Sequence, residues 1–177
     1  MLAMQLDTLE RPGAAALAAH LRQRSTLLLL GAGIAAALLH AAARFPLHLP
    51  GHQGVAWMAI LMLARLASPY RWAATVAALG AAAVAPFLGF HDPLAPLAYL
   101  LPGLVLDLSA LLSSRNLGVM ALGAAVGYTA HPLLDWAALA AFGAHLGPAG
   151  PAFGAHFLFG LAGALLGLAL WQGGRRS

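Results

Sequence analysis

The stretch "TLLLLGAGIAAALLHAAAR", Thr26–Arg44, decides the fold class of this 177-residue chain. Its length is close to the roughly 20 apolar residues that an α-helix needs to cross a hydrocarbon core about 30 Å thick. The rest of the chain shares this character, because 62% of its residues are hydrophobic and 8% are charged. A soluble domain carries about 25% charged residues, so the composition predicts an integral membrane protein.

Hydropathy read outward from that run predicts an all-α polytopic bundle of six transmembrane helices. The predicted spans are residues 26–44, 53–68, 71–90, 94–113, 116–142 and 152–171. Residues 1–25 are then a cytoplasmic or interfacial segment, 26–171 the transmembrane domain and 172–177 a cytoplasmic tail. The part from Arg11 to Arg24 is expected to form a short helix in the head-group layer.

The arginines predict the orientation of this bundle. All nine cations are arginine, and with both termini cytoplasmic only Arg44 lies outside, which follows the positive-inside rule. They stand singly rather than in a basic patch, so nucleic acid is not an expected partner. The absence of lysine and the wealth of alanine and glycine are typical of a GC-rich bacterial genome. We therefore expect a multi-pass protein of a bacterial cytoplasmic membrane, surrounded by lipid.

Other residues are expected to hold the bundle together and to set its depth. Two GxxxG pairs, Gly123 with Gly127 and Gly163 with Gly167, are typical of close helix packing. Asp107 is predicted to pair with Arg71 or Arg115 at the cytoplasmic face, and a proton or ion pathway is the alternative. Aromatic residues are expected at the inner interface (Tyr70, Trp72, Trp171) and at the outer interface (Trp57, Trp136).

Histidine carries most of the remaining functional signal. In the six-span topology, seven of the eight histidines fall on the outer half of the protein. Those seven are His40, His48, His52, His91, His131, His145 and His156. Imidazole is half-apolar and is tolerated in a membrane, but so one-sided a placement predicts a site that opens outward.

The stretch "GYTAHPLLDW", Gly127–Trp136, is the sharpest intramembrane element. His131 and Asp135 are four residues apart and share a helix face. Pro132 is expected to kink the helix and to free the carbonyl of Tyr128. A carboxylate in a membrane segment indicates a functional site, where Asp135 would orient His131. The alternative is a mutually satisfied pair that only fixes helix packing.

The stretch "RFPLHLPGHQGVAW", Arg44–Trp57, connects the first two spans. Its two prolines prevent a continuous helix. We interpret it as a rigid flap that presents His48, His52 and Gln53 to a cavity, since irregular backbone at membrane depth is tolerated where it lines one. An ordinary outer connector is the alternative.

No catalytic motif is present, so the chain is not expected to be an enzyme. The sequence lacks GxSxG, HExxH and the phosphate-binding GxxxxGK[ST] pattern. With no cysteine, thiolate metal sites are excluded. The sequence establishes no cofactor. A divalent metal ion is one candidate, with His131, Asp135 and His52 as its candidate ligands.

The six short spans, the first outer loop with its prolines and glycine, and the fourth span "YLLPGLVLDLSALL", Tyr99–Leu112, together resemble the S-components of energy-coupling factor (ECF) transporters. These are membrane subunits that bind a vitamin or a metal ion. The resemblance covers residues from about Thr26 to Trp171. It implies an outward-facing pocket closed by the first outer loop. The chain begins Met-Leu where the nickel and cobalt members begin Met-His, so a metal substrate would need other ligands.

By that resemblance, substrate would be bound by His48, His52, Gln53, Tyr128, His131, Asp135 and His156. Ala32 and Ala36 would dock a transmembrane coupling subunit, and separate ATPases would supply energy.

Three functions therefore stand as hypotheses. The first is a substrate-binding subunit for uptake of a vitamin-like molecule or metal ion. The second is a histidine-rich metal permease or sensor. The third is a b-type haem subunit of a membrane redox complex, with axial ligands drawn from His40, His131 and His156.

Overall fold

The computed structural model describes residues 2–42, 51–88, 94–113, 116–141 and 150–176. Every regular element within these residues is helical, which confirms the predicted all-α class. The helices are α1 (Leu2–Ala42), α2 (Gly54–Ala67), α3 (Ala73–Val84), α4 (Ala95–Leu112), α5 (Leu117–Tyr128), α6 (Ala130–Ala141) and α7 (Gly150–Gly174). A short 3-10 turn, Ala85–Leu88, extends α3.

Four helical segments of the described chain are long and apolar enough to cross a membrane. They are Arg22–Ala42, Ala95–Leu112, Leu117–Ala137 and Ala152–Gly174. The other two predicted spans correspond to shorter apolar helices, Gly54–Ala67 and Ala73–Leu88. At 1.5 Å per residue the first of these is only about 21 Å long, less than the hydrocarbon thickness of about 30 Å. The chain has the apolar helices of a multi-pass membrane protein, while six crossings and the orientation stay predictions.

The predicted segment boundaries do not coincide with helix ends. α1 runs without a break through residue 25, and its 41 residues extend about 62 Å. The interfacial helix expected for residues 11–24 is therefore the N-terminal part of α1 rather than a separate helix. α7 likewise continues past residue 171 to Gly174.

α2 lies at the centre of the bundle and packs on α7 through glycine. A Cβ at Gly167 would lie 2.6 Å from the carbonyl oxygen of Ala59, and one at Gly163 would collide with the backbone of Val55. The pair in α5 behaves similarly, since a Cβ at Gly127 would lie 2.9 Å from the Cα of Pro102. Both GxxxG pairs serve packing inside the bundle, as predicted.

The aromatic residues divide between core and surface. Trp57 is 1% exposed, so the prediction that it marks the outer membrane interface is wrong. Its ring faces the interior of the bundle and fills the core. Tyr70, Trp72 and Trp136 are each about two-fifths exposed, as interface residues are.

α3 is an alanine-rich helix that α1 and α4 approach closely. Its buried side chains are all alanine, with Ala73, Ala74, Ala77, Ala78 and Ala81 at 0% exposure. A Cβ at Gly103 of α4 would lie 2.7 Å from the carbonyl oxygen of Ala74. This contact brings the next turn of α4, which carries Asp107, against the first turn of α3.

Asp107 caps α3 from the neighbouring helix. Its carboxylate accepts hydrogen bonds from the backbone N–H of Ala74 at 3.3 Å and of Thr75 at 2.7 Å. The Thr75 hydroxyl donates a third, also at 2.7 Å. The side chain is fully buried, and free N–H groups at a helix start favour a negative charge. Asp107 therefore has the partners that a buried carboxylate needs.

The cation beside Asp107 is Arg65 rather than Arg71. The Nε of Arg65 lies 3.4 Å from Oδ1, and its Nη1 donates to the carbonyl oxygen of Tyr70 at 3.4 Å. Arg71 is exposed, and Arg115 lies outside the described residues. The predicted packing role of Asp107 agrees with this geometry, but the predicted partner Arg71 is wrong.

The fifth predicted span is divided by a turn. α5 ends at Tyr128, Thr129 forms the turn and α6 begins at Ala130. Pro132 lacks the N–H that would bond to the carbonyl of Tyr128, and its ring clashes with that carbonyl in a straight helix. The Thr129 hydroxyl donates to the carbonyl oxygen of Val126 at 2.6 Å. The predicted kink therefore corresponds to a one-residue break at Thr129, whose N–H still bonds to the carbonyl oxygen of Ala125 and whose carbonyl oxygen accepts from the N–H of Leu133.

Candidate functional site

The candidate site is a cavity of about 240 Å³. It lies where α1 ends, where α2 and α7 begin and where α5 gives way to α6. Its lining residues are His40, Gly51, His52, Gln53, Tyr128, His131 and His156, and we call it the histidine cavity. The arginine distribution predicts that this end of the bundle is outside.

The structure brings together most of the residues predicted to bind substrate. Those that line the histidine cavity are His52, Gln53, Tyr128, His131 and His156. Asp135 does not line it and reaches it only through His131. His48 and the rest of the predicted flap before Gly51 lie outside the described residues.

Gly51 and Gly54 shape the wall that the predicted flap contributes. Gly51 has φ of 80°, a left-handed conformation that favours glycine, and a Cβ there would lie 3.0 Å from the His156 ring. Its carbonyl oxygen accepts from the N–H of Gly54 at 2.9 Å and from the Tyr128 hydroxyl at 3.2 Å. A Cβ at Gly54 would collide with the Tyr128 ring. The wall is therefore fixed in place by Tyr128.

Three rings form a second wall. The centroids of Tyr128 and His156 are 5.1 Å apart with a 36° tilt, and those of His156 and His131 are 5.7 Å apart with a 30° tilt. His156 Nδ1 lies 2.8 Å from the carbonyl oxygen of Ala152. Because a carbonyl oxygen only accepts, Nδ1 carries the proton, and the neutral ring keeps a lone pair on Nε2.

The predicted pair of His131 and Asp135 is present. His131 Nδ1 lies 3.4 Å from Asp135 Oδ2, and the side chains are 38% and 50% exposed. His131 Nδ1 makes no hydrogen bond at this distance, so a role of Asp135 in orienting the imidazole stays a prediction. The exposure of Asp135 shows that its carboxylate lies on the outside of the cavity wall.

His40 is absent from the set predicted to bind substrate, yet it lines the cavity. Its ring meets Tyr99 edge-on at 5.7 Å, and Tyr99 meets the buried Trp57 at 5.3 Å. The sequence did carry a signal for it, because His40 stands one turn before the end of the first apolar run. That is the depth at which the other lining histidines occur.

The side chains of the cavity donate and accept hydrogen bonds but include no carboxylate and no guanidinium among the described lining residues. Neutral imidazole, phenol and side-chain amide groups each carry a hydrogen-bond donor and an acceptor. The described part of the chain also holds no group of three or more His, Cys, Asp or Glu side chains close enough for one metal ion. His131, Asp135 and His52 are thus not assembled as a metal site.

The two residues predicted to dock a coupling subunit differ in exposure. Ala36 is 1% exposed and belongs to the core. Ala32 is half-buried and borders a groove between α1 and α2. In this arrangement only Ala32 adjoins an open surface.

Comparison of the chain with protein-family models, with curated proteins and with solved structures finds no match. The resemblance to ECF S-components therefore rests only on the layout of the predicted spans and on the residues quoted for it.

Proposed function

We propose that this chain is an integral membrane subunit that binds a small molecule for uptake, with the histidine cavity as its binding site. The proposal rests on one observation, that residues far apart in the sequence meet at a single cavity. Five residues predicted from the sequence to bind substrate, together with His40, line one cavity although they come from four helices and from the turn before α2. Largely preformed concave sites with a few polar groups are where small ligands bind.

The cavity favours a small hydrogen-bonding solute. Its volume of about 240 Å³ is below the roughly 300–1,000 Å³ of pockets for drug-sized ligands. The rings of Tyr128 and His156 form part of the cavity wall and can contact a small planar ligand. His52 and Gln53 offer hydrogen bonds from the opposite wall. A compact heteroaromatic molecule of the vitamin-precursor kind fits this chemistry, whereas a porphyrin exceeds the volume, which disfavours the haem hypothesis.

A metal-ion substrate is the second candidate, because four imidazoles line one cavity. Neutral imidazole is a common ligand of Zn²⁺, Ni²⁺ and Co²⁺. Metal binding would require the rings to turn from their present positions, since no three described ligands are close enough to share an ion.

Uptake also requires a source of energy. The sequence has no nucleotide-binding motif, so a transmembrane coupling subunit and its ATPases are part of the proposal. The resemblance to ECF S-components supports this part.

The test is native mass spectrometry with elemental analysis on the detergent-purified protein. Tyr128→Phe and His131→Ala would be compared with Gln172→Ala, an exposed residue near the far end of α7. We expect a bound organic mass in the wild type and in Gln172→Ala, with occupancy reduced in both cavity variants.

Bound metal that is lost in His131→Ala would instead support the second candidate. A ligand retained equally by all four proteins would place the binding site elsewhere and refute the assignment of the histidine cavity. An empty wild-type protein that also binds none of a panel of vitamin precursors and divalent metals would refute the binding function.

A further inference from the structure

A second pair of cavities lies at the other end of the bundle, between α1 and α2. The larger is an apolar groove of about 420 Å³. It is lined by Ser25, Leu28, Leu29, Ala32, Ile60, Leu63, Ala64, Ala67, Ser68 and Pro69. Seven of these ten side chains are aliphatic, so the groove matches an acyl chain in character.

A polar mouth of about 270 Å³ adjoins this groove. It is lined by Arg22, Ser25, Ser68, Pro69 and Tyr70, and three of these residues also line the groove. The two cavities are therefore neighbours that share part of their walls. The groove opens to an exposed surface, since Leu28 is 74% exposed.

The charge at this mouth is positive. Arg22 lines the mouth and is exposed, and Arg65 reaches the carbonyl oxygen of Tyr70, which also lines it. Arg24 and Arg71, close to these residues in sequence, are exposed as well. Among the described side chains, the carboxylate nearest to this end is Asp107. It is fully buried and bonded to α3, so it does not neutralise the exposed arginines.

We infer that the groove and its mouth form a binding site for an anionic phospholipid. One acyl chain lies in the groove along α2, and the head-group phosphate sits at Arg22, with the Tyr70 hydroxyl as a second donor. Basic pockets between membrane helices on the cytoplasmic side are suited to anionic head groups, and the arginine distribution predicts that this end is cytoplasmic. The site is distinct from the histidine cavity and does not depend on the function proposed for it.

The experiment uses the full-length protein, delipidated in detergent. Dioleoylphosphatidylglycerol and dioleoylphosphatidylcholine are titrated separately, and bound lipids are counted by native mass spectrometry. The variants are Arg22→Gln, at the mouth, and Ala67→Leu, which fills the groove from an exposed position. Arg24→Gln is the matched control, because that exposed arginine lies two residues away and lines neither cavity.

We expect the wild type to bind one phosphatidylglycerol more tightly than phosphatidylcholine. Arg22→Gln should weaken the binding of phosphatidylglycerol about fivefold, since one arginine near an anionic surface contributes about that factor to affinity. Arg24→Gln should change this affinity less. Ala67→Leu should weaken the binding of both lipids to the same extent.

Equal effects of Arg22→Gln and Arg24→Gln would overturn the inference, because they would indicate diffuse surface charge rather than a site. Equal affinity for the two lipids would overturn it as well. So would a co-purifying polypeptide that occupies the groove and is displaced by Ala67→Leu.

Discussion

Replacing Asp107 with alanine should be among the most damaging single changes in this chain. The substitution removes the acceptor of three hydrogen bonds and the carboxylate beside Arg65. Hydrogen bonds to a charged group contribute about 1.5–3 kcal/mol each, but they are not additive. Because breaking a buried ion pair on one side typically costs about 3–5 kcal/mol, we expect a loss of that size in the free energy of unfolding.

The assay is unfolding in sodium dodecyl sulfate followed by tryptophan fluorescence, to which Trp72, the residue before α3, contributes. Asp135→Ala is the matched control, since that carboxylate is half exposed and has one contact at 3.4 Å. It should cost at most about 1 kcal/mol. Thr75→Val, which removes only the hydroxyl bond, should cost about 1.5 kcal/mol. Equal losses in the two aspartate variants would refute the cap.

Three further predictions concern glycine packing and the cavity wall. Gly167→Ala should destabilise the protein by about 1–3 kcal/mol because its Cβ meets α2, whereas Gly154→Ala, with open space around it, should be neutral or stabilising in the same unfolding titration. Gly54→Ala should displace the Tyr128 ring and abolish ligand retention in native mass spectrometry, and retained ligand would contradict the described wall. Tyr128→Phe should lose about 1 kcal/mol of stability with the hydrogen bond to Gly51, and an unchanged unfolding midpoint would show that this bond contributes nothing.

The apolar segments were predictable from hydropathy, and the position of a side chain around a helix was not. The six predicted spans lie close to the observed apolar helices, and Pro132 predicted a kink near Tyr128, where α5 and α6 meet. Arg65 and Arg71 have similar predicted depth, so the sequence could not decide which of them faces Asp107. That choice depends on how α2 is rotated inside the bundle.

Trp57 illustrates the same limit. Its place near the end of an apolar run is equally suited to a membrane interface or to the core, and only the enclosure of α2 by its neighbours decides. The histidine cavity was easier to anticipate, because all of its lining residues lie at the same end of the helix bundle. Yet equal depth alone did not bring His40 into the predicted set of substrate-binding residues.

The central position of α2 has a consequence for biosynthesis. α2 is made early, yet the surface that it packs on belongs to α7, which lies about 90 residues further along the chain. Contacts so distant in sequence form late, because the intervening chain must first be ordered. We expect α2 to enter the membrane as a hairpin with α1 or α3 and to reach its final neighbour only after α7 has been made. A nascent chain halted before residue 150 would then remain open to proteases at α2, and a chain that includes α7 would not.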